Sequence, residues 1–339
     1  MSRYHQNWGV TGHEWAIQHL ARSLNAGRLR HAYLFTGPAG VGKTTLALAM
    51  AMAVNCIDDH ARPCGVCRPC TLIAREKHAD VSILRADEGA LKIEQVRNMV
   101  QTLSLRPVEA RYRVVILRRF NEATPQAMDA LLKTLEEPPP YVLLLITADS
   151  ADRLLPTIRS RCQPLNLRPI APMQVREALI FNHNLDPEGA ALLAQLSGGR
   201  MGWAIRAVTD GDMQSRRTDW LQQLEDALDQ DRVKRFALAE NLSSTKNRGD
   251  LPEVLELWLS YWRDALLLSS NASTPIVNRD RRHSLDQIAR ALSADQALNV
   301  LQAVRRTARM LDQNVNARLA MEVLMLDLPR LRLYQAPPG

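Results

Sequence analysis

Between Thr36 and Thr45 the chain reads Gly37-Pro38-Ala39-Gly40-Val41-Gly42-Lys43-Thr44. Residues of these types at this spacing can hold a row of phosphates. Glycines at 37, 40 and 42 let the backbone curl until its N–H groups converge on phosphate oxygens. The N-terminus of a following helix adds unpaired N–H donors and a positive dipole end. Lys43 is placed to reach β- and γ-phosphates, the Thr44 hydroxyl to sit on Mg²⁺, and Thr45 closes the set. The loop is expected to bind a nucleotide, or to descend from one that did.

A second group of chemical residues lies just downstream. Four of the five cysteines fall in one window, Cys56, Cys64, Cys67 and Cys70, the last three as two consecutive C-x-x-C steps. Four thiolates match a closed tetrahedral zinc site, and with no open ligand position the zinc is structural. A disulfide is disfavoured in a reducing compartment. A buried apolar role is disfavoured by the surrounding Arg, Pro, Asp and His.

These residues need elements to position them. An amphipathic helix is expected over 14–26, then the strand Ala32–Thr36, the loop, and a helix over 45–52. Further strands are read at Val81–Leu84, Arg113–Leu117, 142–147 and 164–167, with helices beginning at Ile93 and at Thr124-Pro125, an N-cap followed by a first-turn proline. Strands alternating with helices predict a parallel sheet covered on both faces. From Ala171 the strands stop. Short helices are expected over 172–182, Pro187–Leu196 and 201–208, and longer amphipathic ones beyond Gly211, clearest at 251–268, 294–311 and 316–328. Trp258, Tyr261 and Trp262 fall at core spacing. Boundaries are expected near 168–172 and 209–211.

With 339 residues the chain has room for two or three domains, and 46% hydrophobic with 23% charged residues is ordinary globular composition. It contains no apolar run of transmembrane length, and its first eight residues lack a signal-peptide core. A cytoplasmic protein without membrane contact is expected. The net charge of +7 permits a polyanionic partner without establishing one. The basic stretches 106–119 and 153–168 are read as solvated surface or subunit contact before DNA.

The phosphate loop, the four-cysteine insert, Ala130-Leu131-Leu132-Lys133-Thr134-Leu135-Glu136-Glu137-Pro138-Pro139 and Ser160-Arg161-Cys162 occur in that order. Together they resemble the bacterial clamp-loader branch of the AAA+ superfamily, and within it the delta-prime type of DNA polymerase III subunit. The resemblance implies an α/β domain followed by an all-α part. These are a P-loop RecA-like parallel sheet over 1–169 with the zinc insert at 56–70, a helical lid over 170–210, and a C-terminal helical collar over 211–333. It also implies a hetero-oligomeric ring with gamma/tau-like ATPase and delta-like subunits, which loads a sliding clamp on primed DNA during replication. In such a ring Arg161 acts in trans as an arginine finger on a neighbour's ATP.

The chain departs from a working ATPase of that family at the end of the third strand. Related ATPases place Asp-Glu there to hold Mg²⁺; Arg118 and Arg119 stand here and would repel a metal. Glu122 lies past the strand end. Gly202 occupies the position of the lid's sensor arginine, with Arg200 and Arg206 close in sequence. The expectation is a subunit that binds ATP or ADP, hydrolyses little, and donates Arg161; whether Mg²⁺ accompanies the nucleotide stays open. The alternative is an ATP-hydrolysing subunit of gamma/tau type with Glu122 recruited unconventionally. A branch-migration or initiator motor is disfavoured by the cysteine insert.

Overall fold

Residues 8–85, 90–312 and 315–331 are described by the computed structural model, and they fall into two compact units, one reaching to Ile205 and the other starting at Arg206. Residues 1–7, which carried most of the signal-peptide reading, and 332–333 at the end of the expected collar lie outside the described residues. No helix among the described residues is long and apolar enough to cross a membrane.

The first unit is built on five strands, β1 (Ala32–Thr36), β2 (Val81–Leu84), β3 (Arg113–Leu117), β4 (Val142–Ala148) and β5 (Gln163–Asn166). All pair in parallel, in the order β2-β3-β4-β1-β5. Every residue of β1 and β4 is buried, as a parallel sheet covered on both faces requires. Successive residues serve opposite faces: Leu34 packs with Val115, Leu144 and Ile146, whereas Tyr33 and Phe35 pack with Ile116, Leu143 and Leu145. The edge strand β5 carries Pro164, which an edge tolerates because its missing N–H breaks no inner ladder. The sequence reading of this strand, 164–167, is one residue late.

Helices α1 (Glu14–Asn25) and α2 (Lys43–Asn55) cover one face, and the short α3 (Arg68–Ala74) packs on α2. Helices α4 (Ile93–Leu103), α5 (Pro125–Glu136) and α6 (Pro156–Arg159) cover the other. Helix α2 is buried along nearly its whole length, so it lacks a polar stripe and its extent exceeds the 45–52 expected. Thr124 caps α5 as expected, its side chain accepting from the Ala127 N–H, with Pro125 in the first turn. The proline run at 138–140 follows the helix end.

One buried carboxylate fixes the loop leading into β3. Asp80, fully buried, accepts N–H bonds from Val108 (2.8 Å), Glu109 (2.9 Å) and Ala110 (3.0 Å) and pairs with Arg113 at 3.2 Å. Burial pushes its pKa up, but the three N–H donors and the guanidinium together outweigh burial and hold it below the ordinary carboxylate value. A group lowered in the folded state contributes stability above its unfolded pKa and loses that contribution as pH falls through the folded value. Asp80→Asn is therefore expected to cost about 2–3 kcal/mol near neutrality. In urea titrations the gap between the variant and the parent should close below about pH 4, the ordinary carboxylate range.

The first unit continues through α7 (Pro172–His183) and α8 (Pro187–Leu196) into α9 (Met201–Thr209), within which the division between units falls. The second unit holds α10 (Met213–Asp229), α11 (Arg232–Ser243), α12 (Leu251–Ser269), α13 (Arg282–Ala291), α14 (Ala294–Asp312) and α15 (Ala317–Asp327). Trp258, Tyr261 and Trp262 of α12 are its fully buried centre, the last two rings meeting edge to face at 6.4 Å. Arg235 is buried here and donates to the carbonyls of Ala227, Leu228, Met325, Leu328 and Pro329, thereby ending both α10 and α15.

Candidate functional site

The loop after β1 has the curled backbone its glycines predict. Gly37, Gly40 and Gly42 all have positive φ (140°, 78° and 110°). At Gly37 a Cβ would lie 2.2 Å from the Leu167 carbonyl oxygen, so no other residue fits. Gly42 is the N-cap of α2, which places Lys43 and Thr44 in that helix's first turn. His13 Nε2–H donates to the Val41 carbonyl at 2.9 Å and ties the start of α1 to the loop. Sequence reasoning missed His13; only its place beside Gly12, before the first helix, could have drawn attention to it.

Lys43 is only 8% exposed and is folded back over its own loop. Its ammonium donates to the carbonyls of Gly37 and of Pro38 (3.0 Å) and pairs with Asp149 Oδ1 at 3.0 Å. Asp149 directly follows β4, and the register that sets Thr36 opposite Ala148 brings it to the loop. Asn121 fixes it, accepting the Asp149 N–H at 3.0 Å. This acid was also missed. The available signal was its position at the carboxyl end of an uninterrupted apolar strand, where open α/β sheets bind ligands.

Arg118 and Arg119 stand at the end of β3 where a metal-binding acid would be needed. Arg118 lies within 3.8 Å of Glu76, and Arg119, left-handed at φ 51°, pairs with Glu122. Glu122 sits in a single 3₁₀ turn, Phe120–Glu122. Burial pushes its pKa up, Arg119 opposes this, and the nearby Asp149 pushes it further up. Gly202 donates its N–H to the Gly40 carbonyl at 2.7 Å. A Cβ there would come within 2.9 Å of that oxygen, so the start of α9 lies directly on the phosphate loop.

The four cysteines converge although they come separately: Cys56 directly after α2, Cys64 and Cys67 from the loop that follows, and Cys70 from α3. Their sulfurs all lie within 4.8 Å of one another, and Cys56, Cys64 and Cys70 are buried. Among the described residues no other cluster of three or more such side chains could hold a metal ion. The Cys64 and Cys67 N–H groups donate to the sulfurs of Cys56 (3.5 Å) and Cys64 (3.3 Å), contacts that favour the thiolate form. For Cys67 burial pushes the pKa up, but N–H donation from Cys70 and Ile57 outweighs it and brings the thiol down to about 7. Burial drives Cys70 far up. Four converging sulfurs, three of them buried, match the tetrahedral donor set of Zn²⁺, whose charge would hold them as thiolates. Ion pairs Arg68–Glu109 (2.9 Å) and Arg111–Asp59 (3.2 Å) fasten this module to the loop before β3.

Arg161 lies elsewhere. It precedes β5, which runs parallel to β1, whereas the phosphate loop follows β1. The two therefore stand at opposite ends of the sheet, separated by a strand length of roughly 15 Å. In Ser160-Arg161-Cys162 only the cysteine is buried, and burial pushes its thiol up to about 12. Arg161 Nη1 donates to the Thr157 carbonyl at 3.0 Å, and Nη2 pairs with Glu136 Oε1 at 2.8 Å.

Two family models match the chain. Residues 12–171 match "DNA polymerase III, delta subunit", and residues 212–329 match the C-terminal part of the same subunit. The chain belongs to the DNA polymerase III delta-subunit family. The chain is similar to DNA polymerase III subunit delta' of Bacillus subtilis, 28% identical over 311 residues that cover 91% of this chain and 94% of that one. It is also similar to subunit tau of Escherichia coli, 34% identical over 215 residues, 60% of this chain and 33% of that one. Subunit gamma/tau of Mycobacterium tuberculosis is 35% identical over 172 residues, 50% of this chain and 30% of that one. The chain thus spans about a third of the tau-type relatives and nearly all of the delta' relative.

Proposed function

We propose that this chain is the delta-prime-type subunit of a DNA polymerase III clamp loader. It binds ATP or ADP, hydrolyses little, and supplies Arg161 to the ATP held by an adjoining gamma/tau-type subunit. The observation that carries the reading is the separation of its two sites. A guanidinium at the amino end of β5 cannot reach a phosphate loop at the carboxyl end of β1, so it can act only on another chain's nucleotide. In this reading the chain has a RecA-like domain (1–169), a lid (170–210) and a collar (211–333). It joins gamma/tau-like and delta-like subunits in a cytoplasmic ring that places a sliding clamp on primed DNA.

Within its own site, the backbone from Gly37 to Thr45 cradles phosphates, and Lys43 exchanges the Gly37 and Pro38 carbonyls and Asp149 for phosphate oxygens. Any Mg²⁺ there lacks the strand-end acids it needs, because Arg118 and Arg119 take their place. The zinc held by Cys56, Cys64, Cys67 and Cys70 supplies structure only, since all four ligand positions are filled by protein.

The runner-up, an ATP-hydrolysing subunit of gamma/tau type, draws support from the tau-type similarity and from Asp149 beside Lys43. Turnover by the isolated chain decides between them. A fluorescent ATP analogue is expected to bind, and Lys43→Ala to weaken it ~10–100-fold, the worth of one charge-assisted hydrogen bond set. Phosphate release should not exceed background. A steady rate abolished by Lys43→Ala would favour the hydrolysing subunit.

A further inference from the structure

We propose that Glu136 is the positioning residue of the arginine finger, holding Arg161 in the orientation from which it reaches a neighbour's phosphate. The inference rests on the finger reading above and adds to it the group within this chain that aims the side chain.

The backbone under Arg161 is already fixed. Helix α6 and Cys162 pack into the same core face as Leu131 and Leu135 of α5, and the Arg161 N–H donates to the Ile158 carbonyl at 3.1 Å. The side chain beyond it is long and half-exposed, so without further contacts it samples many rotamers. Three contacts remove that freedom. Nη1 is held by the Thr157 carbonyl, on its own short helix, and more loosely by the Ser160 hydroxyl at 3.4 Å, and Nη2 by the Glu136 carboxylate, on α5. Anchors on both terminal nitrogens fix the plane of the guanidinium. That plane carries more N–H donors than these contacts use, so donors remain for a phosphate outside the chain.

The placement of Glu136 supports the same role. It is the last residue of α5, where the helix dipole opposes a carboxylate and favours a cation. A glutamate there is unfavourable by itself and becomes favourable when a guanidinium sits against it. The pair is too exposed to matter much for fold stability. What it controls is direction.

The test uses the complete clamp loader in which the other ATPase subunits carry inactivating phosphate-loop substitutions, so that turnover reports the junction this chain serves. Glu136→Ala is expected to lower kcat for ATP on the order of tenfold, with KM unchanged, because a loosened finger is misplaced in the transition state while ground-state binding persists. Glu136→Gln, which keeps an acceptor oxygen, should retain more activity than Glu136→Ala. In an Arg161→Ala background, Glu136→Ala should add nothing further, since it acts through the arginine. If Arg161→Ala lowers kcat and Glu136→Ala does not, the positioning role is wrong while the finger stands. Losses that multiply, or a complex that no longer assembles with Glu136→Ala, place Glu136 in another role and overturn the proposal. A silent Arg161→Ala overturns the finger reading and this inference with it.

Discussion

A clamp loader assembled with Arg161→Ala is expected to bind ATP at the adjoining subunit as before and to hydrolyse it there far more slowly. Arginine fingers supplied in trans are worth on the order of 10³–10⁵ in rate, and this junction should lose an effect of that size once the other sites are silenced. The isolated variant should unfold at the parent's denaturant midpoint, because Arg161 lies at the surface and its contacts to Glu136 and Thr157 are exposed. Its own nucleotide binding should also be unchanged, since the phosphate loop lies at the other end of the sheet. Arg161→Lys should recover only part of the rate: an ammonium is a point charge and cannot present the planar fork. Pre-steady-state phosphate release on primed DNA with the clamp present measures this directly. An unmodified rate in the Arg161→Ala complex would leave Arg161 as a surface residue inside a familiar motif.

Removing metal from the cysteine module is expected to have the largest structural effect. Purified, reduced protein should contain about one zinc per chain, on the four-ligand rule. Structural zinc sites bind with apparent free energies of about 10–16 kcal/mol near pH 7, and that energy is folding energy for the segment it closes. Chelation should therefore release residues 56–70 to proteolysis and rapid hydrogen exchange. The sheet should persist, because α2 and β3 keep their own buried contacts and Asn55 still exchanges hydrogen bonds with Tyr112 at 2.9 and 3.1 Å. Cys67→Ser should have a similar, milder effect, since it leaves three thiolates. Reduced protein without metal, folded and protected across 56–70, would rule the site out.

The parts of the fold legible in the sequence were those where burial leaves no ambiguity. Strands β1 and β3 match their sequence bounds, and β4 nearly so, because a doubly covered parallel strand is an almost unbroken apolar run. Helix α5 was legible at its start, where Thr124 and Pro125 carry cap chemistry that few other positions use. Helix α10 was not delimited. Its buried face includes Arg217 and Glu225, which a hydrophobic pattern counts as surface. Their partners, Asp280 for Arg217 and Tyr261 and Arg281 for Glu225, come from distant segments. The site divides the same way. Lys43 and the four cysteines are marked by local spacing, but His13, Asp149 and Glu136 matter only because the fold brings them to Val41, Lys43 and Arg161. No local pattern encodes such pairings.

Arg235 couples distant parts of the second unit. Its guanidinium takes carbonyls from the end of α10, Ala227 and Leu228, and from the end of α15, Met325, Leu328 and Pro329. During synthesis, α10 and α11 emerge long before α15, and until then this cation has only two of its five acceptors. A buried guanidinium short of partners is costly, so the final packing of α10 and α11 is coupled to the docking of α15, and this one side chain ties the two ends of the unit together.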